Sequence, residues 1–179
     1  MATTGPDNFR ARARRAYEWG RLRHALVSAC PALFLAAVSA WLCHEPDPSA
    51  WIGASLFALL TSLVWYGPTT SRAATAGLRA GMWAFALPVA VFSSHLAPIT
   101  LGSMLIVNGV GGIGAGILLN MESTHLQTRR NLFLACASTV ATLCGTLGCL
   151  LFGPMGLAGM AAGVLLSTSS FAIYRQATA

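Results

Sequence analysis

Apolar segments long enough to cross a bilayer recur six times along this chain, and that recurrence leaves little room for any other architecture. They run over residues 25–43, 51–66, 76–94, 98–119, 132–152 and 155–174. A spanning helix needs ~20 predominantly apolar residues, and in lipid every backbone polar group must be satisfied within the helix itself. Residues 24–174 therefore read as one transmembrane domain, with a basic head over 1–23 and a short tail over 175–179. Only 9% of the residues are charged and 55% are hydrophobic, whereas a soluble domain carries about a quarter charged residues. The sequence predicts an all-α membrane protein: a compact bundle of six transmembrane helices with an N-terminal basic interfacial helix.

The charge pattern assigns a side to each loop. All eleven basic residues are Arg. Arg10, Arg12, Arg14, Arg15, Arg21 and Arg23 precede the first segment, and Arg72 and Arg79 accompany the start of the third. Arg129 and Arg130 lie between the fourth and fifth, and Arg175 follows the sixth. The other three loops hold none. Cytoplasmic loops of membrane proteins retain Lys and Arg, so both termini are expected inside a bacterial plasma membrane, with the arginines against anionic lipid headgroups. A net charge of +6 would suggest nucleic acid in a soluble protein. Here the basic residues flank spans and form no reading module, so nucleic-acid binding is not expected.

Locally, Asp7 or Asn8 is placed to cap a helix over Phe9–His24, whose Phe9, Ala13, Ala16, Tyr17 and Gly20 share one face. Val27-Ser28-Ala29-Cys30 resembles a lipoprotein cleavage box. The apolar run before Cys30 is shorter than the ~7–15 residues of a signal sequence, so 24–43 reads as a retained span. Pro31 and Pro88 are kink positions. Inner loops are expected over 67–76 and 120–131. Gly153-Pro154 makes a tight outer turn that pairs the fifth and sixth spans.

Glycine supplies the strongest local signal. Gly77 and Gly81, Gly112 and Gly116, and Gly159 and Gly163 each satisfy G-x-x-x-G, the spacing that lets two helix backbones approach closely in lipid. Gly159 and Gly163 are expected to face the fifth span. The alternative use of such faces is a homo-oligomer contact. In the fourth span, Asn108-Gly109-Val110-Gly111-Gly112 also has the composition of a broken helix beside a solute path. Asn108 is the most polar side chain near a span centre. Its candidate partners are Thr139, Thr142 and Thr146, or residues 167–170, and the alternative role is contact with a solute.

No Asp, Glu, Lys or His lies deep in a span, which disfavours a proton- or ion-coupled carrier. No catalytic motif, nucleophile and base pair, or cofactor motif is present, so an enzyme is not expected. None of the five cysteines forms a C-x-x-C pair. On the outer loops Cys43, His44 and His95 are metal-ligand types beside Glu45 and Asp47, but they read as ordinary loop residues and no metal site is expected. A Cys43–Cys149 pairing in an oxidising compartment also stays open.

The opening segment Ala16-Tyr17-Glu18-Trp19-Gly20-Arg21-Leu22-Arg23-His24-Ala25-Leu26, and Thr142-Leu143-Cys144-Gly145-Thr146-Leu147-Gly148-Cys149 before a glycine-rich last span, complete the pattern. With six spans in under 200 residues, the chain resembles the small polytopic inner-membrane regulators found beside sigma factors in some bacteria. The resemblance implies an anti-sigma factor whose inner surface binds a cytoplasmic partner such as a sigma factor. On this chain that surface would comprise Arg10, Arg12, Arg14, Arg15, Arg21, Arg23, Arg129 and Arg130. The rival reading is a small-solute transporter or channel with its path beside Asn108.

Overall fold

The computed structural model describes residues 6–43, 46–94, 101–124, 129–150, 158–167 and 169. Among them there are six helices and no strand: α1 (Pro6–Cys43), α2 (Pro46–Tyr66), α3 (Pro68–Ser94), α4 (Leu101–Ser123), α5 (Arg130–Cys149) and α6 (Ala158–Ser167). The first five are long and apolar enough to cross a membrane. The expected turn at Gly153-Pro154 and the remainder of the expected sixth span lie outside the described residues.

Small residues determine how the helices pack. α3 and α5 share the most extensive contact and form the centre. α3 presents Gly77 and Gly81 to α5, and its Ala73, Ala76, Ala80 and Ala84 share one buried cluster with Phe133, Ala137 and Ala141 of α5. A Cβ built on Gly77 would stand 2.5 Å from the Ala137 carbonyl oxygen, and one on Gly81 would stand 2.4 Å from the Cys144 Cβ. The absent side chains are therefore what lets the two backbones meet. One flank of the centre is the α1–α2 pair, joined to it through Leu56, Leu60, Phe85, Val140 and Leu147. Across this joint the buried Ser39 hydroxyl donates to the Leu147 carbonyl at 2.7 Å.

α4 and α6 form the other flank, and here the expected pairing is corrected. Gly159 and Gly163 face α4, not α5. A Cβ on Gly163 would lie 2.5 Å from the Gly109 carbonyl, one on Gly159 3.1 Å from that of Leu105, and one on Gly112 2.5 Å from that of Met160. Gly116 faces Ser167. Contact with α5 is made instead by Met160, which fills the space over Gly145. A broken fourth helix is likewise not found, since α4 is continuous from Leu101 to Ser123. The cost of its glycines is offset by the close backbone contact they allow.

Several expected boundaries also change. The basic head is not a separate interfacial helix, because α1 runs unbroken for 38 residues through Pro31. It begins at Pro6, so Asp7 and Asn8 lie inside its first turn rather than capping it. The 67–76 loop contracts to Gly67 alone, at φ 158°, a value side chains rarely adopt. Pro68 then opens α3, and the Thr70 hydroxyl closes the joint by donating to the carbonyls of Leu63 (2.6 Å) and Gly67 (3.0 Å). The 120–131 loop is shorter than expected at both ends, since α4 continues to Ser123 and α5 begins at Arg130.

The exterior reverses the usual order of a soluble protein. Phe34, Trp41, Trp51, Tyr66, Trp83, Ile106 and Leu165 are exposed, whereas alanines and glycines fill the interior. A soluble monomer rarely exposes so much large apolar surface. Trp41 and Trp51 lie at one end of the bundle and Trp65 and Tyr66 at the other, the two levels at which membrane proteins place aromatic side chains.

Candidate functional site at the arginine-bearing end

Three contacts bring the described arginines to one end of the bundle. The Arg21 guanidinium of α1 donates to the Trp65 carbonyl at the end of α2. It also lies over the rings of Tyr17 and Trp65, at 5.9 and 5.4 Å. Arg79 of α3 pairs with Glu122 of α4 at 3.7 Å, with both side chains largely exposed. Arg130, the first residue of α5, reaches the end of α4: Nη2 donates to Asn120 Oδ1 and Nε to Ser123 Oγ, both at 3.2 Å.

Arg130 anchors a buried polar cluster. Asn120 and Ser123 are about as buried as any residue of the core. Asn120 Nδ2 donates to the Gly116 carbonyl (3.3 Å) and across to the Ser167 carbonyl of α6 (3.5 Å), and Ser123 donates to the Asn120 carbonyl (2.8 Å). The cluster thus ties α4, α5 and α6 together. Arg129 precedes it at φ 61°, a left-handed conformation uncommon for a non-glycine residue, and turns the chain into α5. Asn120 and Ser123 fall within the 120–131 loop that the sequence predicts. The usable signal was the helical period: Asn108, Gly112, Ala115, Gly116, Leu119, Asn120 and Ser123 all fall on one arc of α4.

Arg21 and Arg130, each part-buried, therefore join neighbouring helices through their guanidinium groups. The other predicted partner-binding residues are presented outward. Arg10, Arg12, Arg14, Arg15, Arg23 and Arg129 are exposed. Arg14 makes only a surface pair with Glu18, at 3.1 Å, of the kind that contributes little. Every residue from Arg10 to Gly20 is exposed, including Ala13, Ala16 and Tyr17 of the head's apolar stripe. Over Arg10 to Gly20 the head is a helix with both its basic and its apolar face uncovered.

Asn108 is 1% exposed, and its Oδ1 accepts a bond from the Cys149 thiol of α5 at 2.9 Å. The threonines expected as partners turn back onto their own helix: Thr139 to Ala135, Thr142 to Ser138 and Thr146 to Leu143, each at 2.7 Å. In a buried helix cysteine reads as a small apolar residue, yet its thiol is also a weak donor, and that donor is the partner Asn108 uses. Cys149 is free, with its thiol buried on Asn108. The Cys43 side chain, His44 and His95 lie outside the described residues. Among the described residues no group of three His, Cys, Asp or Glu is placed to hold a metal ion.

Comparison of the chain with protein families, with characterised proteins and with solved structures finds no match.

Proposed function

We propose that this chain is a regulatory protein of a bacterial inner membrane, with both termini in the cytoplasm. In this reading it holds a soluble cytoplasmic partner of the sigma-factor kind at the membrane, as an anti-sigma factor does. The observation that carries the reading is the projection of α1. A membrane core takes up ~20 residues of a spanning helix, which leaves about 18 of the 38 in α1 to extend beyond it. Those residues are helical, and Arg10 to Gly20 are exposed on every face. A helix with an arginine face and an apolar stripe suits an acidic protein surface with an apolar groove. Attraction to several arginines at once speeds encounter and weakens as salt is added.

The transporter alternative draws no such support. Asn108 is buried on Cys149, and the glycine face of α4 is occupied by α6.

The test is co-purification from membranes. In the variant Arg10→Gln, Arg12→Gln, Arg14→Gln and Arg15→Gln, Arg21 is kept because it anchors α1 to α2. This variant should insert normally and lose the soluble partner that the wild type retains, and moderate salt should release the partner from the wild type. A correctly inserted variant that retains every partner, or a wild type that retains none, overturns the proposal.

A further inference from the structure

A groove of about 950 Å³ lies between α3 and α4, within the range of small-molecule sites, roughly 300–1,000 Å³. Its polar groups are gathered at one end. Arg79, Glu122 and Thr124 stand at the rim on the arginine-bearing side, and Met82, Trp83, Leu118 and Met121 form apolar walls. α3 runs away from the arginine-bearing end, so Ala86 lies about 10 Å deeper than Arg79. Polarity therefore falls from rim to depth, as it does from headgroup to acyl chain across one leaflet.

We infer that this groove binds a phospholipid with an ethanolamine headgroup, its phosphate on Arg79 and its ammonium on Glu122. The inference rests on the membrane reading of the chain and is independent of the soluble partner. Charge complementarity selects the occupant. A guanidinium presents parallel N–H donors that match a phosphate, and a carboxylate accepts from an ammonium. The two side chains stand 3.7 Å apart and are largely exposed, so their mutual pairing contributes little and yields readily to a ligand that satisfies both. An anionic glycerol headgroup offers Glu122 only neutral hydroxyl donors and no ammonium charge. A choline headgroup has the same charges but no N–H to donate. The apolar walls, which include the exposed Trp83 and Met121, accept an acyl chain.

The purified full-length chain in mild detergent, given equimolar dioleoyl phosphatidylethanolamine, phosphatidylcholine and phosphatidylglycerol, is read by native mass spectrometry. The ethanolamine lipid should be retained roughly fivefold over either other lipid, the worth of one net hydrogen bond. Glu122→Gln, which keeps only a neutral acceptor, should reduce the preference over choline, and Arg79→Gln should reduce retention of all three. Ala86→Phe, which fills the groove from an exposed position, should also reduce all three without lowering thermal stability. Equal retention of the three lipids by the wild type, or a preference unchanged in Glu122→Gln, overturns the site. So does lipid retention indifferent to Ala86→Phe while a bound protein is lost, since the occupant is then a peptide. Alkaline carbonate extraction separates the underlying reading: a chain released by carbonate sinks the membrane assignment as well, whereas one that stays in the membrane without lipid preference sinks the lipid site alone.

Discussion

Gly112 and Gly114 stand two residues apart on α4 and meet different surroundings. A Cβ on Gly112 would approach the Met160 carbonyl, the Val164 amide nitrogen and the Gly163 Cα within 3.2 Å, whereas one on Gly114 meets nothing within 4 Å. Backbone atoms cannot rotate aside, so Gly112→Ala should destabilise by about 2 kcal/mol through overpacking. Gly114→Ala should stabilise by up to ~1 kcal/mol, the difference in helix propensity. Thermal unfolding of both variants in one detergent checks the pair, and matching shifts of the same sign would show that α6 does not rest on α4. At this scale the sequence showed which residues allow close approach but not which helix they approach. The G-x-x-x-G spacing on α6 describes one side of a contact, and both α4 and α5 offer glycines to complete it. Asn108 was legible as a buried polar group because amides rarely face lipid. Its partner was not, because a thiol reads as apolar until its neighbour is known.

The helices themselves were legible from apolar runs; their ends were not. Capping and turn signals at Asp7, Gly67 and Asn120 suggested boundaries that the helices overrun or compress. An end exposed beyond the apolar core is set by local bonds such as Thr70 to Leu63, which a hydropathy pattern does not contain. The largest discrepancy is in α1, where an expected change of direction between head and span is replaced by one continuous helix. Spin labels at positions 10 and 37, both exposed, measure this directly in a cysteine-depleted background. A straight helix separates the two backbone positions by about 40 Å. A head turned through a right angle at Gly20 to lie in the membrane plane would bring them to roughly 30 Å. The longer distance is expected in both detergent and bilayer.

As a whole, the molecule is a central α3–α5 pair with α1–α2 on one side and α4–α6 on the other. The described arginines gather at one end, through contacts that join α1 to α2, α3 to α4 and α4 to α5. Charge segregation along the sequence already implied that clustering. Impermeant thiol labelling of intact cells assigns the end to a compartment. Thr124 and Ser94 are exposed at opposite ends, so Ser94→Cys should label and Thr124→Cys should be protected; the reverse pattern would invert the topology. The continuity of α1 has a mechanical consequence. At about 57 Å it is a single lever whose C-terminal part is gripped by α2 and α5, whose Arg21 still touches α2, and whose residues Arg10 to Gly20 are exposed beyond that contact. Bilayers of different thickness impose different tilts on a spanning helix. A change of about 10° about mid-span swings Arg10 through roughly 6 Å. For a chain set in a bilayer, the position of the arginine face would then follow the thickness of the membrane around it.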